Sequence, residues 1–221
     1  MSISDAAGFQ RRVATIALAA CREQGFALAG GQALIVHGIV NRATEDIDIF
    51  TDDPAGVRRA SQTVTAALIA AGYAVESVAE VTELDEMFAG FGDDLAELEV
   101  RDEVHIVRVQ LARFDRHRAP VVMDIGPVLH VDDVLGSKVA TLATRAEPRD
   151  YIDVAAALRV RTADELRRLA RQADPTVSDD ELRAAMTRLD RLDDSVFTDL
   201  YGLSKESVDA LRAAFTDWPR G

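Results

Sequence analysis

Asp46 and Asp48 stand one residue apart in the run Thr44-Glu45-Asp46-Ile47-Asp48-Ile49-Phe50, whose apolar members give it strand character. At strand period two both carboxylates point to one face, where they can share a divalent cation. Earlier in the chain Gly30 and Gly31 open a short helical run that ends near His37, and Arg42 and Thr44 lie between the two features. Glycines at a helix start let backbone N–H groups approach a triphosphate. The order of parts is a phosphate cradle followed by a metal clamp. Oxygen ligands with no His or Cys nearby suit Mg²⁺ or Mn²⁺ better than zinc.

The Asp-x-Asp pair alone is weak, because 25 aspartates in 221 residues give about three such pairs by chance. Context strengthens it. Ile47 and Ile49 predict a buried strand, on which an unpaired carboxylate is costly and two neighbouring ones call for a cation. The competing reading is a strand with Asp46 and Asp48 facing solvent and only the isoleucines buried. The glycine pair alone reads as a simple strand-to-helix turn. Taken with Arg42, Thr44 and the acidic pair, it points to nucleotidyl transfer, in which metals bridge a triphosphate and activate an attacking hydroxyl.

A second stretch carries matching chemistry. Residues 132–153 predict a helix bearing Lys138 and Arg145, two turns apart on one face, followed by Arg149-Asp150 and then Asp153. The chain has 23 arginines and only two lysines, so a lysine here stands out. Asp150 reads as a helix cap or salt-bridge partner.

Both stretches together resemble the nucleotidyltransferase superfamily, in particular the AbiEii type of nucleotidyltransferase toxin that includes the mycobacterial MenT toxins. The resemblance covers roughly residues 20–160. It implies an α+β fold, a nucleotidyltransferase-like mixed sheet flanked by helices (residues 1–128) and followed by a C-terminal helical bundle (129–221). It implies an NTP substrate, with Gly30, Gly31, Arg42, Thr44, Lys138 and Arg145 binding the nucleotide and Asp46 and Asp48 ligating Mg²⁺ or Mn²⁺. Lys138 and Asp153 complete the catalytic set with that pair. The implied acceptor is the 3′ end of tRNA, and a cognate antitoxin is the implied partner.

Two departures stand against that pattern. A third carboxylate is expected on the strand of residues 104–112, where Gln110 occupies the place; Asp124 could substitute, two carboxylates could suffice, or turnover could be impaired. The glycine pair also replaces a commoner Gly-Ser, which removes a hydroxyl but keeps the backbone donors. Two other readings therefore stay open: a catalytically impaired nucleotide-binding module, and a nucleotidyltransferase acting on a small molecule such as a cationic antibiotic.

The elements that must position these groups follow from periodicity and breakers. Helical spacing over 7–23 stops at Gly25, a short strand covers 26–29, and a helix starting at Asp52-Asp53-Pro54 runs to Ala71. Strands are expected at 73–79, near 87–91, at 103–113 and at 120–125, with the rest of the acidic segment 80–102 as loop. Helices follow at 131–145, 149–160, 162–173, 178–192 and 204–216. An apolar content of 48% is ample for a packed core. The start of the chain has no export signal, and no membrane span is legible, so the expected location is cytoplasmic.

The net charge of −13 excludes a protein that holds nucleic acid through a general positive field. Local basic clusters remain, at Arg108, Arg113, Arg116, His117 and Arg118 and at Arg159, Arg161, Arg167, Arg168 and Arg171. They read either as acceptor-stem contacts or as solvated surface arginines balancing acids. The lone Cys21 reads as a buried hydrophobe, Phe215 and Trp218 as packing residues, and the four histidines have no metal-ligand spacing.

Overall fold

The computed structural model describes residues 3–78 and 94–220. The chain forms two compact units: Met1–Ala33 with Ala43–His130, and Leu34–Arg42 with Val131–Gly221. Among the described residues the fold is α+β, with seven strands in one mixed sheet and nine α-helices.

The first unit holds the sheet. Helix α1 (Ile3–Ala20) leads through a 3-10 turn into β1 (Ala27–Leu28), and α2 (Gly30–Val36) begins in this unit. Then come β2 (Asp46–Thr51), α3 (Gly56–Ala70), β3 (Ala74–Ser77), β4 (Leu95–Arg101), β5 (Ile106–Arg113), β6 (Val121–Met123) and β7 (Gly126–Val128). The strand order is β3-β4-β5-β2-β1-β7-β6, with β2 parallel to β5 and β1 parallel to β7. Ile47, Ile49, Val109 and Leu111 have no exposed surface, nor do Val13 and Ala17 of α1 or Val64 and Leu68 of α3. Period two then puts Asp46, Asp48, Arg108, Gln110, Glu97 and Glu99 on the opposite, polar face of the adjacent strands β2, β5 and β4.

Three local expectations change. Residues 95–101 form a strand rather than a loop, because Leu98 and Val100 are buried while Glu97 and Glu99 take the other face. The segment expected as one strand at 120–125 is a hairpin that turns at Asp124 and Ile125. Helix α3 starts at Gly56 because Asp53 closes a local turn, its carboxylate accepting from the Ala55 amide. The strand expected near 87–91 lies outside the described residues.

The second unit is helical: α4 (Val131–Thr144), α5 (Pro148–Ala157), α6 (Ala163–Ala173), α7 (Asp179–Arg191), α8 (Asp194–Tyr201) and α9 (Lys205–Ala214). Thr162 with Glu165 and Ser178 with Glu181 form capping boxes that start α6 and α7, and Ser204 caps α9. Helix α8 was not expected; it is short, capped by Asp193, and buries only Phe197. Tyr151, Phe215 and Trp218 pack edge to face in the core, and Tyr151 donates to the Ala185 carbonyl at 2.7 Å. Burial pushes the Tyr151 hydroxyl up to about 12. Cys21, in the first unit, is fully buried and its thiol is likewise pushed up to about 12, so it behaves as a small hydrophobe.

Gly136 sets the approach of α4 to α6. A Cβ there would lie 2.5 Å from the Leu169 carbonyl oxygen and 2.9 Å from its carbon. Backbone cannot yield as a side-chain tip can, so Gly136→Ala is expected to destabilise the protein by about 1–3 kcal/mol. Urea unfolding of the two proteins checks it; an unchanged midpoint would show that the helices part freely.

Candidate active site

In the first unit the polar face of β2 carries Asp46 and Asp48. Asp46 and Asp48 are half-buried, whereas Ile47 and Ile49 are fully buried. The carboxylates share a face as expected but are not sunk in the core. The desolvation argument for a cation is therefore weaker than the sequence suggests.

A different observation takes its place. Gly30 has a φ of +59°, and a Cβ on it would lie 1.7 Å from Asp48 Oδ2 and 2.6 Å from Asp48 Cγ. The absence of a side chain at Gly30 is what gives the Asp48 carboxylate its position against the start of α2. The backbone reinforces this, since the Ala29 amide donates to the Asp48 carbonyl at 2.8 Å. Gly30 thus makes room for the acid itself, a role that the sequence did not disclose.

Two glutamines brace the approach to β2. Gln10 of α1 donates to the Thr44 carbonyl at 2.8 Å and receives the Thr44 hydroxyl at 3.5 Å. Gln32, buried on α2 one residue after the glycine pair, donates to the Asp46 carbonyl at 3.4 Å and to Gln10 Oε1 at 3.5 Å. Neither glutamine was legible as a site residue. Gln10 is far away in sequence, and a lone amide on a helix gives no signal.

The strand register extends the polar face across β5 and β4. Asp48 stands opposite Gln110, and Gln110 opposite Glu97; Asp46 stands opposite Arg108, and Arg108 opposite Glu99. Asp124 lies in the β6–β7 turn, and β6 is three strands from β2. At about 4.8 Å per strand it is too remote to serve as the third carboxylate.

The second unit gathers the other set. Asp153 of α5 is fully buried, and Arg42 binds it bidentately, Nε to Oδ1 and Nη2 to Oδ2, both at 2.7 Å. Lys138 of α4 reaches Asp153 Oδ2 at 3.0 Å. Burial works against the Arg42 charge, but the hydrogen bond and the charge of Asp153 outweigh it and hold the guanidinium pKa above its ordinary value. Two cations thus converge on one carboxylate. Asp153 therefore anchors Lys138 and Arg42.

Arg145 and Asp150 form a separate pair. The Arg145 Nη2–Asp150 Oδ1 distance is 2.7 Å, and Asp150 also closes the capping box at the start of α5 with Glu147. The sequence reading of Asp150 as cap and salt-bridge partner holds. Arg145 is engaged in fixing that helix start.

Many arginines of the two basic clusters pair with acids: Arg113 with Asp115, Arg116 with Asp52, Arg161 with Asp132, Arg167 with Asp164 and Arg171 with Asp179. Surface charge balance accounts for these. Among the described residues no three His, Cys, Asp or Glu side chains form a metal cluster, and no helix is long and apolar enough to cross a membrane. A pair still fits Mg²⁺, which is commonly held by one or two carboxylates and completes its shell with water and substrate phosphates.

No curated protein matches the chain. Among solved structures it is similar to MenT4, a nucleotidyltransferase toxin from Mycobacterium tuberculosis H37Rv, with a TM-score of 0.63 and 16% identity over 98% of this chain and 85% of that one. JHP933 from Helicobacter pylori is similar at a TM-score of 0.59 and 16% identity, over 94% and 88% of the two chains. At this identity the likeness establishes the fold. The family model of the AbiEii nucleotidyl transferase toxin of type IV toxin–antitoxin systems matches residues 17–217. Nearly the whole length is matched, and the chain belongs to the AbiEii family of nucleotidyltransferase toxins.

Proposed function

We propose that this enzyme transfers a nucleoside monophosphate from an NTP to an RNA acceptor, the 3′ end of tRNA, with Mg²⁺ or Mn²⁺ held by Asp46 and Asp48. The observation that carries the reading is the Asp48 carboxylate seated where a side chain on Gly30 would have to be. An acceptor hydroxyl oxygen attacks the α-phosphorus and loses its proton to solvent, the bond from that phosphorus to the α–β bridging oxygen breaks, and the β- and γ-phosphates leave as pyrophosphate. When bound by Asp46 and Asp48, the cation would neutralise charge on the triphosphate and would lower the pKa of the attacking hydroxyl.

The chain's own groups take the remaining parts. Gly30 and Gly31 leave the backbone open to a phosphate, and Thr44, braced by Gln10, helps hold the nucleotide. Lys138 contacts the triphosphate, with Arg42 and Arg145 as helpers, and Asp153 keeps Lys138 and Arg42 oriented. Membership of a toxin–antitoxin family supports a cognate antitoxin as the protein partner.

Purified protein with each labelled NTP and total tRNA tests this, and label on the tRNA 3′ end with release of pyrophosphate is the expected result. Absence of label with every NTP, where a positive control works, overturns it. Gln110 at the place of a third carboxylate favours one other reading, a module that binds NTP without turnover. That reading predicts nucleotide binding with no transfer in the same assay.

A further inference from the structure

We infer that Gln110 provides a neutral third oxygen to the cation of Asp46 and Asp48 and that Glu97 orients it, an inference that rests on the metal reading above. On the polar face of the sheet Gln110 is the β5 residue in register with Asp48, and Glu97 is the β4 residue in register with Gln110. The strands are about 4.8 Å apart, so Gln110 lies between the two acids.

A carboxylate only accepts hydrogen bonds, which fixes the end of the amide that faces it. Gln110 accordingly donates Nε2–H to Glu97 Oε1, at 3.5 Å. With Nε2 committed to Glu97, the carbonyl oxygen is the amide atom left for the other side of β5, where β2 carries Asp48 in register. The chemistry of the acceptor, rather than the similar shapes of the two amide ends, makes this assignment. Side-chain carbonyl oxygens are ordinary ligands of hard cations.

Charge explains why an amide stands here. A carboxylate at position 110 would lie directly opposite Glu97 on one strand and Asp48 on the other, and like charges so placed repel. Moving the acid one strand outward and leaving an amide in register with Asp48 keeps an oxygen available without that repulsion. Glu97 is in this scheme a positioning residue, acting through Gln110.

Mn²⁺ binding to the whole protein without nucleotide, followed by electron paramagnetic resonance, tests the scheme. Gln110→Leu is expected to weaken Mn²⁺ about tenfold or more, and Glu97→Gln to weaken it less, because the amide is then free to turn. The exchange Glu97→Gln with Gln110→Glu restores an acceptor–donor pair and is expected to recover wild-type affinity or better. Thermal melts of each variant confirm folding, and the exchange decides the matter if Gln110→Leu does not fold. If Asp48→Asn abolishes Mn²⁺ binding while Gln110→Leu binds as the wild type does, this inference fails and the metal reading stands. If the wild type binds no Mn²⁺, or Asp48→Asn leaves binding unchanged, the metal reading fails and the inference falls with it.

Discussion

Asp48→Asn is expected to lower nucleotide transfer by about 10³-fold while leaving the melting temperature close to that of the wild type. The substitution keeps the shape that fits over Gly30 and removes only the charge. Loss of several kcal/mol of metal-assisted stabilisation corresponds to a factor of this size, at about 1.4 kcal/mol per tenfold. Gly30→Ala is expected to lose transfer as severely by another route. Its Cβ would fall 1.7 Å from Asp48 Oδ2, and its φ of +59° would strain an alanine. Activity and stability therefore drop together in Gly30→Ala, and only activity drops in Asp48→Asn. Adding Asp48→Ala to Gly30→Ala removes the two shortest contacts, while the Asp48 Cβ stays at 2.9 Å. Part of the lost stability should return and none of the activity. Calorimetry beside labelled-nucleotide transfer separates the cases, and a double variant no more stable than Gly30→Ala alone would rule out the steric account.

The parts of the site that were legible are those whose signal lies within one element. Ile47 and Ile49 alternate with Asp46 and Asp48, so period two placed the pair on one face without any knowledge of neighbours. Lys138 was legible through its rarity and its place on a helix face, and α6, α7 and α9 through helical spacing and the breakers between them. What escaped depends on contacts between elements distant in sequence. Asp153 was placed in the site, but its partner Arg42 comes from another part of the chain, and no local pattern announces a bidentate pair. The same holds for Gln10 under Thr44 and for Glu97 beside Gln110.

The misread elements have a related cause. In β4 the apolar Leu98 and Val100 alternate with acids inside a longer acidic segment, so local charge density masked a period of two. Helix α8 buries only Phe197 and is too short for a 3.6-residue period to show. The sheet itself completes both corrections. Strand β4 pairs along its whole length with β5, and only that pairing reveals that Glu97 and Asp48 belong to one row. An acid that looks like loop solvation in the linear chain joins the row of Asp48 once register is known.

Asp153→Asn is the substitution expected to cost most in stability, about 3–5 kcal/mol. Asp153 has no exposed surface, and the side chains of Lys138 and Arg42 are only 13% and 16% exposed. Neutralising the acid leaves two nearly buried cations without the charge that binds both, and salt screens such a pair poorly. Removing a cation instead is milder: Lys138→Met leaves Asp153 with the bidentate Arg42 and should cost under about 2 kcal/mol. The two changes are therefore coupled. Lys138→Met in the Asp153→Asn background removes one of the two repelling charges, so the double variant should be more stable than Asp153→Asn alone. Urea unfolding of the four proteins measures that coupling, and additive losses would show that Asp153 does not serve as the common anchor. Transfer assays on the same set separate anchoring from chemistry. Lys138→Met should lose transfer with its fold largely kept, whereas Asp153→Asn should lose both, because the positions of Lys138 and Arg42 depend on the carboxylate between them.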